Sequence, residues 1–298
     1  SASARLFGFP ARLEVQDLKI TPRDPSLKPA TPGETFIHID HLRLEVNLLG
    51  LIFNELDVRR ALVSGVTMQT VKWAEGGNSL KLLLAKPGTL ALPPVAPLTL
   101  EDEDEIPAPA GEGPDGAELP FHISELPVSS TLHEARISNA AWSIRNDRKH
   151  TAMHFKETTA VLTGMTLDPE NPAAAGTPEV SVTTRLVLDS PQADIRTLDF
   201  LMNLNGKYLL IDPVTGYLNN DLEFQLALLK GSLVNRIPTL IKLNENLGKL
   251  KSSTGLDLEL PPQATLLSDT TLKAHLKNGA IRFTDDVFFP FDTYQLGL

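Results

Sequence analysis

Four stretches of the sequence carry residue types that could do chemistry. Gly111-Glu112-Gly113-Pro114-Asp115-Gly116 spells G-x-G-x-x-G, which holds a dinucleotide pyrophosphate when it joins a strand to a helix N-terminus. No strand is predicted directly before it, Pro114 interrupts it, and Glu112 and Asp115 repel phosphate, so it reads as linker. His38-Ile39-Asp40-His41 has metal-ligating types. On a regular strand His38 and Asp40 share one face while His41 points to the other, so at most two of the three converge and the segment reads as a strand with Ile37 and Ile39 inside. His150 and His154 stand four apart, but in strand-like sequence that spacing is roughly 13 Å rather than one helical turn. Glu101-Asp102-Glu103-Asp104-Glu105 has the charge to attract a cation loosely and reads as a solvated linker.

Other chemistries lack their residues. There is no G-x-S-x-G elbow, no H-E-x-x-H pair and no Walker loop, and the absence of Cys excludes a thiol nucleophile, disulfides and Cys-based zinc sites. The expectation is a protein that is not an enzyme and uses no metal and no cofactor. The 298 residues hold 27 Lys and Arg against 37 Asp and Glu, a net charge of −10, with no basic cluster to neutralise phosphates. Nucleic acid is therefore not an expected partner. The longest nearly apolar runs, residues 48–53 and 90–98, fall far short of the roughly 18 to 20 residues that cross a bilayer.

Such sparse chemistry shifts attention to the elements. Leu13 and Val15, then Leu18 and Ile20, alternate with one phase slip, as do Ile37 and Ile39 against Leu42, Leu44 and Val46. Alternation predicts strands with one buried face, and a slip of one residue predicts a bulge. A crossing with four prolines separates the two strands. An apolar knot at 48–53, expected to pack in the core, precedes further alternation at Leu56, Val58, Val66 and Met68, and a short helix is predicted over 79–85. Residues 87–120 are rich in Pro, Gly and acids and cannot bury enough apolar surface to order. The division is thus a segment 1–86, a flexible excursion 87–120 and a segment 121–298, with the two outer segments able to share one sheet.

Strands are predicted at Phe121 and Ile123, at Ala135 and Ile137, at Trp142 and Ile144, at Met153 and Phe155, at Val161 and Thr163, and over 180–188 and 200–204. Asn205-Gly206 predicts a type I′ hairpin with Leu209 and Ile211 returning, because both turn positions need positive φ. Leu222 to Leu228 alternates again. Leu233, Ile237, Leu240, Ile241 and Leu247 recur at helical spacing, predicting one amphipathic helix near 232–251 that packs on the sheet or lies on a lipid surface, delayed or kinked at Pro238. Leu256, Leu258 and Leu260, then Leu272, Ala274 and Leu276, the Asn278-Gly279 hairpin, Ile281, Phe283 and Phe289 complete the pattern. The fold class is mainly β with a few helices (α+β), an elongated antiparallel meander. A start of Ser-Ala-Ser-Ala and an end on the alternating Tyr294-Gln295-Leu296-Gly297-Leu298 read as a fragment.

The order of elements resembles AsmA-like bacterial envelope proteins. Leu13 to Ile20, the Pro-rich crossing, Ile39 to Ile52, Leu56 to Val63 and Asn78-Ser79-Leu80-Lys81 are similar to that family's opening, and Gly255-Leu256-Asp257-Leu258 with Leu272 to Ile281 to its later β segment. The resemblance implies a curled sheet with an apolar inner face that binds or guides phospholipid between membranes or in outer-membrane assembly. It also implies a periplasmic location and an inner-membrane anchor preceding this chain. On that reading Ile137, Trp142, Ile144, Leu272, Leu276, Ile281 and Phe283 line the groove or its closed end. The same alternation suits a closed β-sandwich, so the alternative is a structural or adhesion module that binds a protein or glycan through its loops.

Overall fold

Apolar residues recurring at every second position commit long stretches of this chain to strands. A computed structural model describes residues 2–5, 10–20, 37–72, 121–190, 195–235, 241, 244–247, 261–277 and 280–297. The first strands are Ala2–Arg5 (β1), Ala11–Ile20 (β2), Ile37–Asn47 (β3) and Glu55–Lys72 (β4). Ser129–Asn146 (β5), Thr151–Leu167 (β6), Glu179–Ser190 (β7), Ile195–Ile211 (β8) and Leu218–Leu228 (β9) follow. Short strands Leu233–Asn235 (β10) and Gln263–Thr265 (β11) precede Thr270–Lys277 (β12), Ala280–Phe283 (β13), Phe288–Pro290 (β14) and Gln295–Gly297 (β15). With 18 residues each, β4 and β5 run roughly 60 Å.

β1 to β9 lie side by side in chain order and are continued by β12 and β13, while β10 and β11 pair off this path. Together they make one large, curled, open 13-stranded sheet, and β14 and β15 make a separate two-stranded one. The sheet is mixed, which corrects the wholly antiparallel expectation: β4 and β5 are parallel from Glu55 opposite Ser129 to Lys72 opposite Asn146. A parallel neighbour requires the chain to return to the starting end, and residues 73–128 are far longer than the dozen or so that such a return needs.

Other expectations are also revised. Asn205 and Gly206 do not turn but continue β8, with Gly206 opposite both Val180 and Phe224. A Cβ there would stand 2.6 Å from the Glu223 carbonyl oxygen and 2.9 Å from the Phe224 Cβ, so glycine serves close packing instead of a hairpin. The helix near 232–251 does not begin at its expected start, because Leu233–Asn235 is a strand paired with β8 and β11; residues 241 and 244–247 are helical. Ile123–Glu125 is one 3-10 turn capped by His122, not a strand. In the 48–53 knot Gly50–Phe53 is a 3-10 turn, and Leu49, Leu51, Ile52 and Phe53 are exposed instead of packing in the core. The helix at 79–85, the excursion 87–120 and the strand at 256–260 lie outside the described residues. So does the Asn278-Gly279 turn, although Lys277 pairs with Ala280 across it.

Residues directly opposite one another in a sheet share a face, so register can be followed from strand to strand. One row reads Leu13, Leu44, Ala61, Ala135, Leu162, Val180, Gly206, Phe224, Ala274 and Phe283. The adjacent row, on the other face, reads Arg12, Glu45, Arg60, Glu134, Thr163, Glu179, Lys207, Glu223, His275 and Arg282. Opposite charges facing each other across strands add roughly 0.2 to 1 kcal/mol per pair and penalise a slip of one residue.

Alternation survives one crease. Asp17 (φ 53°), Gly65 (φ 63°), Asn139 (φ 53°) and Glu157 (φ 53°) are left-handed in the middle of β2, β4, β5 and β6. Their flanking pairs align Asp17 with Asp40, Asp40 with Gly65 and Gly65 with Asn139. From β2 to β5 the pairing runs one to one through the crease and the extra residue shows only against β7, between Lys156 and Thr159. The left-handed residue in each of these strands turns the alternation over by one position, so Leu13 and Val15 before Asp17 share a face with Leu18 and Ile20 after it.

Burial is concentrated at one corner. Leu228, Val234, Ala264, Leu266, Leu272, Val287, Phe289 and Phe291 are buried together, with Leu198, Phe200, Met202, Leu226 and Tyr294 packed against them. Leu198, Phe200, Met202, Leu226, Leu228 and Leu272 share the face of the Leu13 row. The irregular segments around β10–β11 and β14–β15 therefore cap that face where β8, β9 and β12 meet.

Candidate functional site

By register all seven expected groove residues share the face of the Leu13 row, in two groups. In β5, Ile137 stands opposite Val63 and Ala160, Trp142 opposite Met68 and Phe155, and Ile144 opposite Thr70 and Met153. The Trp142 ring stacks on Phe155 with centroids 5.6 Å apart, and its Nε1 donates to Thr70 Oγ1 at 3.0 Å. Leu272 and Leu276 belong to β12 and Ile281 and Phe283 to β13, five and six strand spacings away along the sheet, on the order of 24 to 29 Å. Leu272 is only 5% exposed inside the capped corner, whereas Ile137, Trp142, Ile281 and Phe283 are exposed by 36% or more. Met153, Phe155, Leu186, Phe200 and Phe224 fill the same face between the two groups. The period of two at Met153 and Phe155 was the signal for the first of these.

The opposite face is charged. Glu45 is buried, accepts from Arg43 Nε at 2.9 Å and from Arg12 Nη2 at 3.3 Å, and the Arg43 bond holds its carboxyl below the ordinary Glu range against the cost of burial. Asp221 accepts from His275 and pairs with Lys277 at 3.2 Å; the His275 bond likewise keeps it low. Asp17 is held low by Lys19 and His38, and Asp212 by the backbone N–H groups of Thr215 and Val214.

An open cavity of about 740 Å³ lies on this polar face. Its walls include Ser181, Asn205, Gln225 and Lys273 from one transverse row, and Glu179, Lys207, Glu223 and His275 from the next. None of the seven expected residues lines it.

Two chemical constellations meet a geometric test here. Register through the crease places His38 and His41 on the same face, opposite Thr67 and Ser64, which corrects the expectation for His41, while His38 Nδ1 and Asp40 Oδ1 stand 3.6 Å apart as a shared face requires. His38 is engaged by Asp17 at 2.9 Å, and among the described residues no three His, Asp or Glu side chains form a metal-holding group. Ser143 Oγ lies 3.0 Å from His154 Nδ1, whose ring Nε2 is 3.7 Å from Asp189 Oδ2, a Ser-His-Asp alignment that sequence spacing did not reveal. β5 is paired on both edges, by β4 and by β6, so the amides around Ser143 belong to the ladders instead of pointing at a substrate oxygen as an oxyanion hole requires.

Among the described residues no helix is long and apolar enough to cross a membrane. Comparison with family models, with curated proteins and with solved structures finds no match for this chain.

Proposed function

We propose that this chain is a non-enzymatic, AsmA-like envelope protein whose open sheet holds phospholipid acyl chains along its apolar face. In this reading the protein is periplasmic, anchored to the inner membrane by a segment preceding the chain, and serves lipid transfer or outer-membrane assembly. One observation carries the reading: the row from Leu13 to Phe283 crosses ten strands without a charged residue. Side chains such as Leu13, Ile137 and Trp142 on that face stay exposed, while the corner at Leu228 and Leu272 is closed. An apolar strip open along its length and stopped at one corner has the form of a groove for an alkyl chain, each methylene gaining about 0.8 kcal/mol on leaving water.

Native mass spectrometry and solvent extraction of protein purified from a membrane fraction test it. Co-purifying phospholipid is expected, and its loss in Trp142→Asp. Protein free of lipid, or Trp142→Asp retaining it, overturns the proposal.

The polar cavity favours a second reading, a structural or adhesion module. Its hydroxyls, amides and balanced charges suit a glycan or peptide, and a folded chain that binds glycans but extracts no lipid would support that reading.

A further inference from the structure

The strands have two ends. One, the near end, carries the β3–β4, β6–β7 and β8–β9 connections; the other, the far end, carries the capped corner and the charged turn at Asp147, Arg148 and Lys149. At the near end four neighbouring apolar side chains stand in solvent, Leu49 (48% exposed), Leu51 (47%), Ile52 (73%) and Phe53 (75%). Val214, Tyr217 and Leu218 are exposed at the β8–β9 connection on the same end.

The 49–53 tip is not a loose loop. Leu51, Ile52 and Asn54 N–H groups donate to the carbonyls of Leu48, Leu49 and Leu51, Leu49 N–H donates to Asn47 Oδ1, and Asn54 O accepts from Ser129 N–H of β5. Asn54 closes the turn in the left-handed region. The β8–β9 tip is tied as firmly, through Gly216 O to Ile123 N–H at 2.9 Å and two Asp212 Oδ1 bonds to Val214 and Thr215 N–H. Backbone hydrogen bonds thus hold large apolar side chains outward, where folding alone gains nothing from them.

We infer that the near end seats in a lipid bilayer surface through the 49–53 tip. Together the four side chains expose on the order of 400 Å², about half of the ~800 Å² per partner that a stable protein interface buries. A protein partner would also need a matching socket for a convex wedge, while a bilayer interface accepts one without shape complementarity. The capped corner lies at the far end, so the tip stands at the unstopped end of the apolar face. The inference rests on the lipid reading above, because that position lets an acyl chain pass from bilayer to sheet.

Vesicle flotation with an equal mixture of phosphatidylethanolamine and phosphatidylglycerol tests it, using the 298-residue chain and the double variant Ile52→Ser/Phe53→Ser. The wild-type chain is expected to float in low and high salt, and the variant to partition about a hundredfold less. Both side chains are exposed, so the variant's thermal midpoint should match the wild type and a folding defect is separable. Wild-type protein that stays with the pellet, floats only in low salt, or floats equally well after substitution overturns the inference. Displacement of a fluorescent fatty acid, measured without vesicles, reports on the sheet face alone: retained displacement with lost flotation separates failure of the tip from failure of the groove.

Discussion

The Glu45 carboxylate shows what a single side chain contributes on the charged face. It is buried between Arg12 and Arg43, and its pKa is lowered mainly by the Arg43 bond. A depressed carboxyl stabilises the fold above its unfolded pKa, near 4.5, and that contribution is lost as pH falls through the folded value. Glu45→Gln is expected to cost about 1.5 kcal/mol at neutral pH in urea unfolding. The gap should close on acidification below the ordinary Glu range, and a gap independent of pH would contradict the assignment. Tyr294 makes the converse case: among the described residues its buried hydroxyl has no hydrogen-bond partner, and burial raises its pKa. Tyr294→Phe should leave the ring on Phe291 and raise stability by about 1 kcal/mol, read as a higher urea midpoint.

Among the elements, the crease is the least regular feature and the most specific. Gly65 is left-handed, and a Cβ there would fall 1.9 Å from Asp40 Oδ2. Gly65→Ala is therefore expected to lower stability by about 2 kcal/mol, since strain and displacement of Asp40 add. Glu157 occupies the same region with a side chain, so Glu157→Gly should raise the thermal midpoint by the equivalent of about 1 kcal/mol. The crease was legible in the sequence as phase slips between Val15 and Leu18 and between Ile39 and Leu42, because turning the alternation over must displace the apolar pattern. The long strands were legible for the same reason. Asn205-Gly206 misled because a glycine needed for close approach to Phe224 spells the same dipeptide as a turn. The strand at Leu233–Asn235 escaped because its ladder partners, Leu198 and Asp199 in β8 and residues 263–265 in β11, are distant in sequence. The polar cavity and the Ser143–His154–Asp189 alignment likewise depend on register between strands, which alternation within one strand does not encode.

For the whole molecule, the sheet joins two regimes of packing. Leu272 sits in the capped corner, where Leu272→Ala should cost about 3 kcal/mol by leaving a cavity. Ile137 lies on the same face where it is open, and Ile137→Ala should cost under about 1 kcal/mol in the same melt. Equal losses at both sites would mean that the face is covered throughout. The parallel seam between β4 and β5 has a consequence for the order of assembly. On either side of it, strands adjacent in sequence zip through short connections, β3 with β4 and β5 with β6 among them. Across it, Glu55 must find Ser129 over the intervening 56–128 stretch before any ladder bond offsets the entropy of closing that loop. The seam is therefore expected to be the slow step of folding, with β4 and β5 presenting two long unpaired edges until it forms; late protection of the β4 and β5 amides in pulsed hydrogen exchange would check it.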